Sequence, residues 1–115
     1  MTFTDTPNAP NKIGETPIHE AARKGHLAIV EFLVGITEMP IAPDNYGYTP
    51  IHEAAMYGHL DVTKFLVDLT DMPIVPNNNG ETPIELARMY EHVEVKEFLQ
   101  RYCNNPQNKA KSQRT

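Results

Sequence analysis

The stretch GYTPIHEAAMYGH at residues 47–59 returns 33 residues earlier as GETPIHEAARKGH and 33 residues later as GETPIELARMYEH. One unit is therefore written three times in 115 residues. The period extends beyond this stretch: Thr37 to Asp44 lies over Thr70 to Asn77, and Thr4 to Asn11 lies over both. Nine of the ten prolines obey it, Pro106 being the exception. Each periodic proline fixes φ and removes a donor at the same place in its unit, so the repetition specifies backbone and not just composition.

Within a unit the local signals are readable. Thr16, Thr49 and Thr82 each precede a proline, which is the order of an N-cap followed by a first helical residue whose missing N–H costs nothing. Glu85 stands three residues after Thr82 and completes a capping box, whereas His19 and His52 stand at that place in the first two units. Gly25 and Gly58 end the first helix, because the left-handed C-cap conformation is cheap for glycine. A second helix follows in LAIVEFLV, LDVTKFLVDL and VEVKEFLQ, where apolar residues recur three and four apart. One such pair cannot bury its own apolar face, but stacked copies can. The expected architecture is all-α, a helix-turn-helix solenoid of three stacked repeats.

A 33-residue period with T-P-I-H-E-A-A opening the first helix and G-H-L before the second resembles the ankyrin repeat. Gly47, Thr49, Pro50, His52, Ala54, Ala55, Gly58, His59 and Leu60 carry the resemblance, which covers residues 11 to 102. It implies antiparallel helix pairs, hairpin-like loops set at about a right angle to them, and binding on the concave face made by loop tips and first helices. The loop after the second helix departs from that pattern: T-E-M-P-I-A-P and T-D-M-P-I-V-P lack a helix-ending glycine. The second helices are thus expected to run to just before Met39 and Met72, with stiff, extended loops after them.

The units divide the chain into a remnant loop of a preceding repeat (1–10), repeats at 11–43, 44–76 and 77–102, and a disordered tail (103–115) that is weakly basic through Lys109, Lys111 and Arg114. The third unit turns polar where its predecessors are apolar or small. Arg88 replaces Ala22 and Ala55, Lys96 replaces Val30 and Thr63, Gln100 replaces Val34 and Val67, and Glu91 replaces Gly25 and Gly58. This is the outer face a C-terminal cap needs. The first unit shows no such change, so either a longer array continues before it or its first repeat packs against a partner.

Ten Lys and Arg against fifteen Asp and Glu give a net charge of -5, which repels phosphate backbones and argues against nucleic acid. Residues 1–102 hold seven basic and fifteen acidic residues, a charge of -8, so a partner of basic character would be steered toward them. A single cysteine, Cys103, rules out a disulfide framework and suits an intracellular, cytoplasmic setting, and no stretch approaches a membrane span or a signal peptide.

Chemistry finds no foothold. HEAAR and HEAAM lack the second histidine of H-E-x-x-H, and equivalent histidines in stacked helices stand about 8–10 Å apart, too far to share a zinc with ligands at about 2.0 Å. His19 and His52 are instead expected to use both ring nitrogens to tie first helices to neighbouring loops. No nucleophile has a matching base, and no glycine-rich phosphate loop is present, so no catalytic residue, metal ligand or cofactor is assigned. The P-x-x-P spacings of PNAP, PIAP and PIVP repeat with the period and read as linkers.

Scaffold residues repeat, so specificity belongs to positions where the units differ. At the loop tips these are Lys12, Ile13 and Glu15, then Asn45, Tyr46 and Tyr48, then Asn78, Asn79 and Glu81. On first-helix faces expected to point away from the core they are Glu20, Arg23 and Lys24, then Glu53, Met56 and Tyr57, then Leu86, Met89 and Tyr90. The candidate partner-binding set is Tyr46, Tyr48, Glu53, Met56, Tyr57, Met89 and Tyr90 with Arg23 and Lys24, since large amphipathic side chains dominate interface energetics. The chain then reads as a non-catalytic protein or peptide binder, monomeric unless the N-terminal repeat self-associates. The alternative is a purely structural segment of a longer array with no ligand of its own.

Overall fold

The computed structural model describes residues 10–104 and contains, in order, α1 (Pro17–Lys24), α2 (Leu27–Gly35), α3 (Pro50–Met56), α4 (Leu60–Val67), α5 (Pro83–Met89) and α6 (Val93–Asn104). No strand occurs among these residues. Each odd helix pairs with the even helix after it, α1 stacks on α3 and α3 on α5, while α2, α4 and α6 form a second layer. The result measures 47 × 32 × 27 Å. Residues 1–9 of the remnant loop and 105–115 of the tail lie outside the described residues, whereas Cys103 and Asn104 extend α6 and belong to the last helix.

The Thr-Pro pairs do what their chemistry predicts. Thr16, Thr49 and Thr82 have extended backbones, and each side-chain oxygen accepts from the N–H three residues on. The expectation of a capping box only in the third unit is corrected: all three have one. Nδ1 of His19 and of His52 accepts the N–H of Thr16 and of Thr49 at 3.0 Å, the place Glu85 takes toward Thr82 at 3.2 Å. An unprotonated imidazole nitrogen is an acceptor of the right reach, so histidine substitutes for a carboxylate without burying a charge.

The second helices stop earlier than expected, at Gly35 and Val67, not before Met39 and Met72. Pro40 and Pro73 have no N–H to offer the carbonyls of Ile36 and Leu69, so another turn would gain no bond. The helices close with tight turns instead, Ile36 N–H to the Leu33 carbonyl at 3.2 Å and Leu69 N–H to the Leu66 carbonyl at 3.0 Å.

Buried Ala21, Ala22, Ala54, Ala55 and Ala87 let the first helices approach closely, and Val30, Val62, Leu66, Val67, Val95 and Leu99 fill the space beneath them. Every member belongs to one cluster spanning all three units, so the core lies between repeats as much as within them. Buried polar atoms are satisfied: the hydroxyl of Thr63 donates to the His59 carbonyl at 2.8 Å, and no buried side-chain N or O among the described residues lacks a partner.

Candidate functional site

Each loop tip is folded by one side chain at a periodic position. Oδ1 of Asp44 accepts the N–H groups of Tyr46 and Tyr48 at 2.8 and 2.9 Å, and Asn11 and Asn77 do the same for their own loops. Adjacent tips then join: Asn45 N–H donates to the Ile13 carbonyl at 2.8 Å, and Asn78 N–H to the Tyr46 carbonyl at 2.9 Å. The Asx turn fixes the tip and the cross-repeat bond fixes its distance from the next.

Histidines bind tips to helices. Because Nδ1 of His19 and His52 accepts a backbone N–H, the proton sits on Nε2, which donates to the carbonyl of Tyr48 at 2.7 Å and of Glu81 at 3.1 Å respectively. Both ring nitrogens are thus engaged, and burial holds His52 below its ordinary pKa of 6.5. His59 adds a third link, Nε2 to the Arg23 carbonyl at 2.9 Å. Its ring leaves no room at the preceding repeat: a Cβ on Gly25, at φ +75°, would lie 2.5 Å from Nδ1, and Gly58 faces His92 in the same way.

On the face made by these tips and the first helices lies an open depression of about 320 Å³. The first repeat lends Ile13, Glu15 and Arg23 to its wall, and the second lends Asp44, Tyr46, Tyr48, Glu53, Met56 and Tyr57. Six of the nine sequence-derived candidates therefore meet around one hollow: Arg23, Tyr46, Tyr48, Glu53, Met56 and Tyr57. Met89 and Tyr90 stand outside it on the third repeat, both about half exposed, and Lys24 stands outside it on α1, paired with Glu20 at 3.1 Å.

Two first-helix residues expected to face away from the core, the candidate Glu53 and Leu86, are buried. Glu53 is 4% exposed and Leu86 is 1% exposed, although Glu20 at the same place in the first repeat is open to water. This position looks toward the preceding repeat, so it is exposed only where no repeat precedes. Tyr48 is likewise half-buried, its ring 5.6 Å from that of His52 and its hydroxyl 3.5 Å from Glu81 Oε1. Burial first, then the Glu81 carboxylate, pushes its phenol pKa upward.

The floor of the depression is an ion network. Arg23 bridges Glu15 and Glu53, with Nε to Glu53 Oε1 at 3.1 Å. Burial alone would lower the arginine's pKa, but the hydrogen bonds and charges of Glu53 and Glu15 outweigh it and the net shift is upward. Glu53 is also shifted upward, because desolvation exceeds the help from Arg23 and Glu15 adds like charge. The opposed readings of the pair have one cause: the guanidinium gains from two carboxylates, while Glu53 shares one cation. Carboxylate oxygens of Glu15, Asp44 and Glu53 come within 4.8 Å of one another. All three are engaged by Arg23 or by backbone N–H groups, so the cluster serves the fold. Three carboxylates against one guanidinium leave the hollow negative, beside the exposed rings of Tyr46 and Tyr57.

Asp44, Glu15 and Ile13 were absent from the candidate set although they wall the hollow. The signal for Asp44 was present: Asn11, Asp44 and Asn77 recur at the period, two residues before each tip residue they cap.

A search of curated proteins found no match. A family model described as ankyrin repeats in three copies matches residues 3–75 and again 44–112. Its span covers the whole stack of Thr-Pro helix pairs, and the chain belongs to the ankyrin repeat family.

Proposed function

We propose that this chain binds a protein or peptide on the concave face of its stack, with the depression between the first and second repeats as the anchor site. Ankyrin repeats are in general non-catalytic protein–protein interaction modules. The observation that carries the reading is the meeting of exposed Tyr46 and Tyr57, partly buried Met56 and three carboxylates around one hollow of about 320 Å³. The rings supply large contact area with few rotors to freeze, and the acidic floor favours a lysine or arginine of the partner. Met89 and Tyr90 extend the surface toward the third repeat. Tyr48, Glu53 and Arg23 hold the floor in shape. The lone Cys103, partly buried in α6 with its thiol pKa raised by that burial, is suited to a reducing intracellular compartment. No helix among the described residues is long and apolar enough to cross a membrane.

The test is affinity capture with the wild-type chain and its Tyr57→Ala and Tyr46→Ala variants in parallel, followed by titration of what the wild type retains. Each variant should weaken binding by about 1–3 kcal/mol with helicity unchanged, and binding should fall as salt rises. Unchanged affinity in both variants removes the site.

A further inference from the structure

Tyr57 and Tyr90 hold one position in the second and third repeats, the C-cap of α3 and of α5, where the first repeat has Lys24. Their backbones match, at φ -101° and -99°, so the two side chains leave their helices in the same direction. Both residues stay about half exposed although α3 and α5 stack on each other. The middle repeat has a neighbour on each side, so the exposure of Tyr57 is not that of an open end. Helices packed through alanines lie about 8–10 Å apart, which sets the step from one ring to the next.

That step selects a ligand backbone. A polyproline II segment rises about 9.3 Å in three residues and returns to the same side, which falls inside the range. A strand shows one face every two residues, about 6.6–6.8 Å, and a helix presents one line every seven, about 10.5 Å, so both fall out of step with the rings. A segment already held in that conformation by its prolines also loses little entropy when it docks on aromatic rings.

Tyr57 walls the acidic hollow as well, so the row of rings begins there. Asp44 is 8% exposed and enters none of the ion pairs among the described residues. Asn11 and Asn77 fold their tips with an amide at the same place, so the turn does not require the charge of Asp44. The carboxylates of Asp44, Glu15 and Glu53 approach within 4.8 Å of one another. An arginine suits them better than a lysine, because its planar fork spans two carboxylates while its face stacks on a ring.

We propose that the concave face takes a basic, proline-rich segment in the polyproline II conformation, with prolines three residues apart resting on Tyr57 and Tyr90 and an arginine one turn away reaching the hollow at Asp44 and Glu53. The inference rests on the concave-face reading above and adds the conformation and composition of the ligand.

The probes are two acetylated, amidated peptides, Arg-Ala-Pro-Pro-Ala-Pro-Pro and Pro-Pro-Ala-Pro-Pro-Ala-Arg, so that both chain directions are sampled. Titrated into the isotope-labelled full chain and followed by NMR, at least one should shift the Tyr46, Tyr57 and Tyr90 amides saturably. Tyr57→Ala and Tyr90→Ala should each weaken binding about fivefold or more. So should Asp44→Asn, citrulline in place of the arginine, and glycine in place of the prolines three and six residues from it. No saturable shift with either peptide overturns the proposal, as does binding indifferent to Tyr90→Ala. Equal binding of the glycine peptide overturns it by making the ligand a flexible segment, and so does arginine amide binding as tightly as the peptides with shifts confined to the hollow. The changes on the peptide need no variant, so the test survives if Tyr90→Ala does not fold. A captured partner that still depends on Tyr46 and Tyr57 while neither peptide binds overturns the ligand class alone; a captured partner indifferent to both removes the concave-face site as well.

Discussion

Glu91 sits where Gly25 and Gly58 sit in the earlier repeats and adopts the same left-handed backbone, at φ 65°. A side chain there costs about 1–2 kcal/mol relative to glycine, and no histidine follows His92 in the sequence to stand against this position as His59 and His92 stand against Gly25 and Gly58. Glu91→Gly should therefore stabilise the chain by about 1 kcal/mol, the rest being returned by glycine's freedom in the unfolded state; a urea midpoint that did not rise would contradict this. His52 gives a pH test. Its folded pKa lies below 6.5, so its contribution is fully present above that pH and is lost as the pH falls from there through the folded value. Glu53 has the opposite slope, since its raised folded pKa contributes stability at low pH that is lost as the pH rises. Comparing wild type with His52→Gln cancels Glu53. Glutamine can still accept from Thr49 but loses the reach to the Glu81 carbonyl, so the variant should cost about 1–2 kcal/mol at neutral pH. Its urea midpoint should fall less than wild type's between about pH 7.5 and about pH 5.5. Parallel curves would show that His52 is not the titrating group.

At the scale of elements, helices of seven to nine residues such as α1 to α5 are too short to persist alone; α1, α3 and α5 are held at their starts by a threonine, and all five are held along their sides by neighbours. Thr49 is the most enclosed of the three caps, 3% exposed, with its hydroxyl shared between the His52 N–H and Nδ1. Thr49→Ala takes away the acceptor of the His52 N–H inside the stack while the backbone N–H of residue 49 still meets Nδ1, and an unfolding titration should show a loss of about 1–2 kcal/mol. The α4–α6 layer has side-chain ties of its own. Lys64 Nζ stands 5.7 Å from the Phe98 ring centroid, and the Tyr102 hydroxyl meets Asp68 Oδ1 at 2.9 Å, with burial and that carboxylate raising its pKa to about 12. Such ties join the last repeat to the middle one without passing through the loop tips.

Across the whole molecule, stability is a sum of units and of the interfaces between them, and only the middle unit has an interface on both sides. Amides of α4 should accordingly exchange more slowly than those of α2, whose outer face is open at Ile29 and Phe32. Native-state hydrogen exchange reads this directly, and equal protection in α2 and α4 would mean that the stack opens as one body.

The 33-residue period determined the stack by itself, because Thr-Pro at the start of the first helix of each unit, Gly25 and Gly58 at the turns and the alanine pairs act within a few residues of themselves or on identical neighbours. It also placed the two ring nitrogens of His19 and His52, since any residue at a periodic position meets the same surroundings in each unit. Which candidates are wet was decided only in three dimensions. Glu20, Glu53 and Leu86 occupy one position in three repeats, yet the first is exposed and the others are buried, because burial there depends on whether a preceding repeat stands against it. The same reason separates exposed Ile29 from buried Val62. The hollow, too, exists only where the tip of one repeat leans over the first helix of the next, bringing Glu15 and Arg23 to Glu53 across 30 or more residues of chain. Local chemistry is written in the order of residues, while exposure and the meeting of distant side chains belong to the packed solid.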